Sequence, residues 1–186
     1  MQLSDILSDL HEDHRNMAIL LNLLERETAH IQAGEKPDYE LIQDIMRYLT
    51  TYSDAVHHPK EDVLYSALER QRPDQAEGLE NVGDEHRQLA VLGEALRNDI
   101  EAIASEAAVM RHQIVDDATR YIEHLRKHMN WEETDLFQRA AEMIEADESM
   151  FVDITHLNRL DPVFGPEREH AFANLLQTIR TIAESP

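Results

Sequence analysis

The 186-residue sequence contains no cysteine, which excludes intrachain disulfides, zinc–thiolate sites and iron–sulfur clusters. It also has only 5 glycines and 6 prolines, and no stretch alternates apolar and polar residues as a strand does. This combination favours an all-α chain. With 42% hydrophobic and 30% charged residues, the composition is that of a globular protein and not of a disordered tail.

Positive charge is also scarce. The 17 Lys and Arg residues face 38 Asp and Glu residues, which gives a net charge of −21. Because such a surface repels polyanions, we expect neither nucleic acid nor an anionic membrane as a partner. The longest early apolar run, 18–21, is far too short to span a bilayer, and the first residues lack the pattern of a signal peptide. We therefore expect a cytoplasmic protein.

Two segments carry apolar residues at helical spacing, and each has a histidine in the apolar seam. The first segment, about 4–33, has His14 where a leucine is expected, and Gly34 follows it as a terminator. The other segment, about 79–103, has His86 in the same role. In this helix Gly93 is expected to permit close approach by a neighbour.

Two further helices are predicted, each with a histidine and a glutamate four residues apart. One begins at the N-cap Asp38 and carries HHPKED at 57–62. Pro59 predicts a kink or a widened turn there, or alternatively a break followed by a new helix. The other helix runs from about 109 to 144, with His128 and Glu132 both facing inward.

The first and second halves of the chain resemble each other. Residues 13–20 align with 85–92 without a gap, so two similar helical hairpins are predicted. Short connections favour an antiparallel up-down-up-down four-helix bundle over 1–145. Residues 146–186 are predicted as a C-terminal helical extension with a short helix near 151–157, a turn at 161–166 and a last helix at 167–183. It would cover one side of the bundle or mediate formation of a homodimer.

The histidines and glutamates of these helices suggest a metal site. A His and a Glu four positions apart lie on one helix face, about 6 Å apart in height. A single such pair usually lies on a solvated face, and a single histidine in a seam is usually a core residue. Together, however, the polar groups would be costly to bury without a partner such as a metal ion. The predicted ligands are His14, His57, Glu61, His86, His128 and Glu132.

Several neighbouring residues leave alternatives open. His58 could replace His57 as a ligand because the helix phase slips after Tyr52, and Glu133 could replace Glu132. His11 and His124, each one turn before a predicted ligand, either orient that ligand or lie on the surface. Imidazole and carboxylate ligands suit iron, manganese, zinc and copper.

These motifs resemble the hemerythrin-like, or HHE cation-binding, family. The features are the Asp-His start at 13–14, HHPKED at 57–62, Glu-His at 85–86 and HMxxEExxLF at 128–137. A late DPxFG at 161–165 is similar to the bacterial branch of the family. The resemblance implies a four-helix bundle with two non-heme iron ions, oxo- or hydroxo-bridged. The four histidines would then be terminal ligands, and Glu61 and Glu132 would bridge.

One position departs from the oxygen carriers of that family. They have a fifth histidine one turn after the third-helix ligand, where this chain has Ala90. The resemblance therefore implies a diiron protein that binds or senses oxygen, nitric oxide or iron. The alternatives are a diiron redox enzyme (an oxidase, a peroxidase or a nitric-oxide-related repair protein) and a metal store or structural site holding zinc or manganese.

Overall fold

A computed structural model describes residues 1–105, 107–147, 151–152, 161–165 and 172–183. Within them the chain is helical, and the single β-type contact is an isolated bridge between Gln2 and Phe151. This confirms the predicted all-α class. The helical elements are α1 (Leu3–Ala33), α2 (Tyr39–Tyr52), a π-helical turn (Ser53–His57), α3 (His58–Gln71), a 3-10 turn (Pro73–Gln75), α4 (Leu79–Ala104), α5 (Arg111–Trp131), a second π-helical turn (Glu132–Leu136), α6 (Phe137–Ala146) and α7 (Ala173–Ala183).

The first helix boundaries follow from local backbone chemistry. Gly34 adopts a φ of 79°, which ends α1 and lets the Glu35 N–H donate to the His30 carbonyl at 2.9 Å. Asp38 then caps α2 by accepting a hydrogen bond from the Leu41 N–H at 2.9 Å. Both predicted boundaries are confirmed.

The predicted distortion near Pro59 is the π-helical turn Ser53–His57, and the chain stays helical through the proline. Pro59 has no N–H to offer the carbonyl four residues back, so a widened turn costs little here. The His58 N–H instead donates to the Ser53 carbonyl. Residues 39–71 thus form one long helix.

The second π-helical turn, Glu132–Leu136, joins α5 to α6 in the same way. It contains no proline, and no residue in it marks the distortion in the sequence. Residues 111–146 therefore form the fourth long helix, after α1, 39–71 and α4. Both long helices that carry a His/Glu pair are distorted at that pair.

Side-chain contacts show that the first long helix runs antiparallel to both its neighbours. Next to 111–146, His14 contacts Glu133 while Glu25, further along α1, contacts Arg126. The same holds next to 39–71, where Asp13 contacts His57 and Glu27 accepts a hydrogen bond from the Asp38 N–H.

The third long helix, α4, is also antiparallel to its neighbours. His86 stacks on His58, whereas Gly93 lies against Thr50. On its other side, Glu85 contacts His124 and Asp99 accepts a hydrogen bond from Gln113. The predicted helical bundle is confirmed, and these contacts are consistent with its up-down-up-down order.

The bundle core consists of two apolar regions. One includes Leu21, Ile45 and Leu96, and the other includes Leu10 and Leu136, all fully buried. Buried polar residues separate the two regions. An apolar layer above and below the polar residues keeps bulk water away from them.

The described part of the C-terminal extension covers one side of the bundle. Asp161 accepts hydrogen bonds from the backbone of Val163 and from the Tyr48 hydroxyl, at 2.8 and 2.7 Å. Val163 and Leu175 are buried in the larger apolar region. The predicted turn lies at 161–165, and the last helix is described from Ala173.

Other predictions about this extension are not tested. The helix predicted near 151–157 and the start of the last helix at 167 lie mostly outside the described residues. The domain boundary at residue 145 and the homodimer stay predictions. Among the described helices, none is both long and apolar enough to cross a bilayer.

Gly93 is buried where α4 meets two neighbours, and a Cβ there would lie 2.8 Å from Thr50 Cγ2 and 3.1 Å from Tyr121. We expect Gly93→Val to lower the free energy of unfolding by about 1–3 kcal/mol through overpacking. Exposed Gly83, on the same helix, supplies the control, because Gly83→Ala should raise the free energy of unfolding by about 0.5–1 kcal/mol. Urea unfolding measures both, and a stable Gly93→Val protein would contradict the close approach.

Candidate metal centre

The structure brings the six predicted side chains into one buried cluster between the two apolar regions. Both glutamates have no exposed surface, and the least buried member, His86, is 14% exposed. Two overlapping groups have donor atoms within 4.8 Å of one another, which is close enough to hold a metal ion. The groups are His14, His57 and Glu61, and Glu61, His86, His128 and Glu132.

Glu61 belongs to both groups because its two carboxylate oxygens face different histidines. Its Oε1 lies 3.0 Å from His57 Nε2 and 3.8 Å from His14 Nε2. Its Oε2 lies 3.3 Å from His86 Nε2. A carboxylate in this position can share its oxygens between two cations.

Glu132 is the second carboxylate of the cluster. Its Oε2 lies 3.2 Å from His128 Nε2 and 3.5 Å from His14 Nε2. Its Oε1 accepts a hydrogen bond from the Tyr65 hydroxyl at 2.8 Å. The phenol thus holds one oxygen and leaves the other facing the histidines.

Both π-helical turns lie at the cluster, and the first of them sets the direction of His57 and Glu61. His57 is the last residue of the first turn and Glu132 is the first residue of the second. An extra residue in a turn rotates everything that follows it, which accounts for the slip of the apolar seam after Tyr52. His57 and Glu61 then share a face and lie in contact.

Asp13 orients His57 from outside the cluster. This carboxylate is buried and accepts hydrogen bonds from His57 Nδ1 and Lys60 Nζ, both at 3.2 Å, and from the Tyr52 hydroxyl at 3.0 Å. With Nδ1 donating, the His57 ring directs Nε2 toward Glu61. A hydrogen bond of this kind fixes the tautomer and orientation of a ligand histidine.

Glu133 does the same for His14. One of its oxygens accepts from His14 Nδ1 at 2.9 Å, and the other accepts from His11 Nδ1 at 2.8 Å. Glu133 is therefore directed at the outer side of His14 and does not belong to either donor group, although the sequence left it open as a ligand. His11 lies in this outer network.

His58 also lies outside both donor groups. Its ring stacks on His86 at 3.8 Å between centroids, and its Nδ1 lies 3.4 Å from Asp54. His124 contacts Glu85 at 3.0 Å on the surface side of the bundle. The geometry thus favours His57 over His58 for the cluster.

Sequence reasoning missed the tyrosine that contacts the cluster. That residue is Tyr65, whose hydroxyl donates a hydrogen bond to Glu132. A signal was present, because Tyr65 lies one helical turn after Glu61 and so shares its face. The orienting roles of Asp13 and Lys60 were missed as well, because they depend on contacts between helices.

The cluster contains buried polar atoms without hydrogen-bond partners among the described residues. Such atoms cost about 1–3 kcal/mol each when left unsatisfied, so a concentration of them at one place points to a ligand. Four imidazoles and two carboxylates form a donor set that suits divalent transition metals. The unpartnered atoms are His14 Nε2, Glu61 Oε1 and Oε2, His86 Nε2, His128 Nδ1 and Nε2, and Glu132 Oε2.

A comparison with known protein families identifies the family of this chain. The family model described as hemerythrin HHE cation binding domain matches residues 5–140, which is most of the chain and includes all six side chains. The chain belongs to the hemerythrin HHE cation-binding family. Comparisons with curated proteins and with solved structures returned no significant match.

His57 and Glu61 form a buried ion pair in the hemerythrin domain. Burial by itself lowers the pKa of His57, but the carboxylates of Glu61 and Asp13 outweigh it and raise the pKa to about 10. Burial by itself raises the pKa of Glu61, and the adjacent His57 and His86 outweigh it and hold that pKa well below its usual range.

Glu132 and His128 are instead shifted toward their neutral forms. Burial, followed by repulsion from Glu61, raises the pKa of Glu132 to about 7. Burial lowers the pKa of His128 to about 3. A neutral imidazole is the form that binds a metal ion, so His128 needs no deprotonation near neutral pH.

The Glu132 shift predicts how the stability of the metal-free hemerythrin domain depends on pH. Its folded pKa of about 7 exceeds the ordinary value of 4.5, so its contribution is fully present below pH 4.5 and is lost as the pH rises through 7. Glutamine does not titrate. We therefore expect Glu132→Gln to raise the unfolding free energy by about 1–3 kcal/mol at pH 8 and to change it little at pH 4.5.

Chelator-treated protein unfolded by urea at both pH values provides the measurement. Exposed Glu123 lies on the same long helix, and Glu123→Gln is the control that should show no such difference. An equal effect of Glu132→Gln at both pH values would show that its carboxyl is not perturbed.

Proposed function

We propose that this protein is a non-heme diiron hemerythrin-like protein that binds or senses oxygen or nitric oxide, or responds to iron. Membership of a cation-binding family and the buried donor set support metal binding. The observation that supports two ions is the position of Glu61, whose oxygens face separate histidines. The cytoplasmic location expected from the sequence remains part of this proposal.

In the proposed site, His14 and His57 would hold one ion and His86 and His128 the other. Glu61 and Glu132 would be the bridging carboxylates, as the family resemblance implies. A bound iron pair would supply reversible coordination of a small diatomic ligand.

Aromatic and apolar side chains next to the site exclude water from it. Phe137 stacks on His14 with ring centroids 5.1 Å apart, and Leu136 and Leu64 are fully buried in the adjoining apolar region. Exclusion of water limits proton delivery and side reactions at a reactive centre. This surrounding supports ligand binding without turnover.

We expect protein from iron-supplied cells to contain about two iron ions per chain, the number held by carboxylate-bridged pairs in helical bundles. A ligand-to-iron absorption band should bleach on anaerobic reduction and return with oxygen. His86→Ala should lower the iron content, while His112→Ala, an exposed histidine on the fourth long helix, should leave it unchanged. Zinc or manganese without an oxygen response would instead indicate the storage or structural alternative.

A diiron redox enzyme is the second candidate, and Tyr65 is the observation that favours it. Its hydroxyl is 2.8 Å from Glu132, and burial raises the pKa of this phenol well above its usual value, so it keeps its proton. A protonated phenol at a metal ligand can donate a hydrogen bond during chemistry.

The enzyme candidate predicts turnover of peroxide or nitric oxide by the iron-loaded protein. Tyr65→Phe should then lower kcat by about 10²-fold if the phenol assists proton transfer, with iron content unchanged. Stopped-flow consumption assays alongside metal analysis separate the two effects. Stoichiometric ligand binding without turnover would support the binding or sensing role.

A further inference from the structure

The two halves of the donor cluster differ in what holds their histidines. At the His14/His57 end, each ring donates its Nδ1–H to a carboxylate outside the cluster, His14 to Glu133 at 2.9 Å and His57 to Asp13 at 3.2 Å. Both carboxylates have further partners, so they are themselves fixed. Asp13 is held by Lys60 and by the Tyr52 hydroxyl, and Glu133 by His11.

The His86/His128 end has no such support within the described part of the chain. His128 Nδ1 is buried and unpartnered there, and His128 contacts no carboxylate other than Glu132. The single carboxylate that contacts His86 is Glu61, which lies inside the cluster. The His86 ring is held by stacking on His58, which fixes the ring plane but not the tautomer.

The same end lies next to a solvent-accessible cavity. A cavity of about 460 Å³ lies between the second and third long helices, and its wall includes His58, Ala90 and exposed Asp54. His58 lines this cavity and stacks against His86 with ring centroids 3.8 Å apart. His58 therefore lies between the cavity and His86.

We propose that Asp13 and Glu133 are positioning residues that make the His14/His57 end the high-affinity metal position, and that the His86/His128 end is a weaker, exchangeable position. The inference rests on the proposed function, because it concerns the order in which two ions bind. The ligand of the weaker end would be a divalent transition-metal ion that exchanges readily.

The physical reason is preorganisation. A ring whose Nδ1–H is bonded to a fixed carboxylate already presents Nε2 to the metal in the correct tautomer and orientation. A ring without that partner must adopt both on binding, and at His128 the buried Nδ1 has no partner among the described residues. Loss of one outer hydrogen bond to a ligand histidine typically weakens metal affinity by about 10–100-fold.

The test is a titration of the metal-free, full-length protein with Co²⁺. Calorimetry and the visible absorption of the bound ion monitor the binding. We expect two binding steps whose dissociation constants differ by at least about tenfold. His128→Ala should remove the weaker step and leave the tighter one, which assigns each step to an end of the cluster.

Two conservative variants then test the positioning role. Asp13→Asn and Glu133→Gln each keep the size of the side chain but replace the charged acceptor of the histidine Nδ1–H by a neutral and weaker one. Each should weaken the tighter step by about 10–100-fold with the weaker step unchanged. Glu133 is about one-third exposed, so its replacement leaves the fold intact even if the buried Asp13→Asn protein is destabilised. Circular dichroism checks that both remain helical.

Asp9→Asn is the matched control. Asp9 lies one helical turn before Asp13 and also contacts Lys60, at 3.6 Å, but within the described residues it contacts no cluster histidine. Its replacement should leave both steps unchanged. Two steps of equal affinity, or equal weakening of both by Asp13→Asn and Glu133→Gln, would overturn the inference while leaving a two-metal protein. Absence of Co²⁺ binding by the wild-type protein would overturn the proposed function itself.

Discussion

The burial of Glu61 is the constraint on which the rest of the structure depends. A carboxylate with no exposed surface needs compensating positive charge, because an isolated buried charge is very unfavourable. His57, whose Nε2 lies 3.0 Å from Glu61 Oε1, supplies such a charge. The position of Glu61 among three histidines also brings together three long helices, so the electrostatic requirement and the bundle geometry are satisfied by the same contacts.

The cluster also explains why two long helices are distorted where they would be most regular. A bundle core made only of leucine-like residues needs no extra residue in a turn. Here the turn Ser53–His57 rotates His57 and Glu61 into the polar layer. The turn Glu132–Leu136 redirects the residues that follow Glu132, and the buried Leu136 and Phe137 continue the apolar seam. Such π-helical turns are frequent at functional sites because they re-aim side chains without ending the helix.

The C-terminal extension is connected to this polar layer through the second long helix. Asp161 accepts the Tyr48 hydroxyl, Tyr48 stacks on Tyr52 with ring centroids 5.0 Å apart, and the Tyr52 hydroxyl donates to Asp13. Asp13 in turn holds His57. This row of contacts joins the extension to the donor cluster.

The sequence by itself determined the helices, the bundle and the identity of the six clustered side chains. The signals for these features are local. They are the heptad-like spacing, the N-cap Asp38, the terminator Gly34 and the repeat-matched histidines, and each can be recognised within one helix or by comparing the two halves of the chain. Pro59 even marked the first distorted turn, because a missing N–H has a direct backbone consequence.

Only the tertiary structure decided which residues surround the cluster. Asp13, Glu133 and Tyr65 make their decisive contacts between helices, with partners 44, 119 and 67 positions away in the chain. No proline marks the second π-helical turn in the sequence. Spacing along one helix places a side chain on a face, but which partner it meets depends on the rotation and height of the neighbouring helix, and packing of the whole bundle sets both.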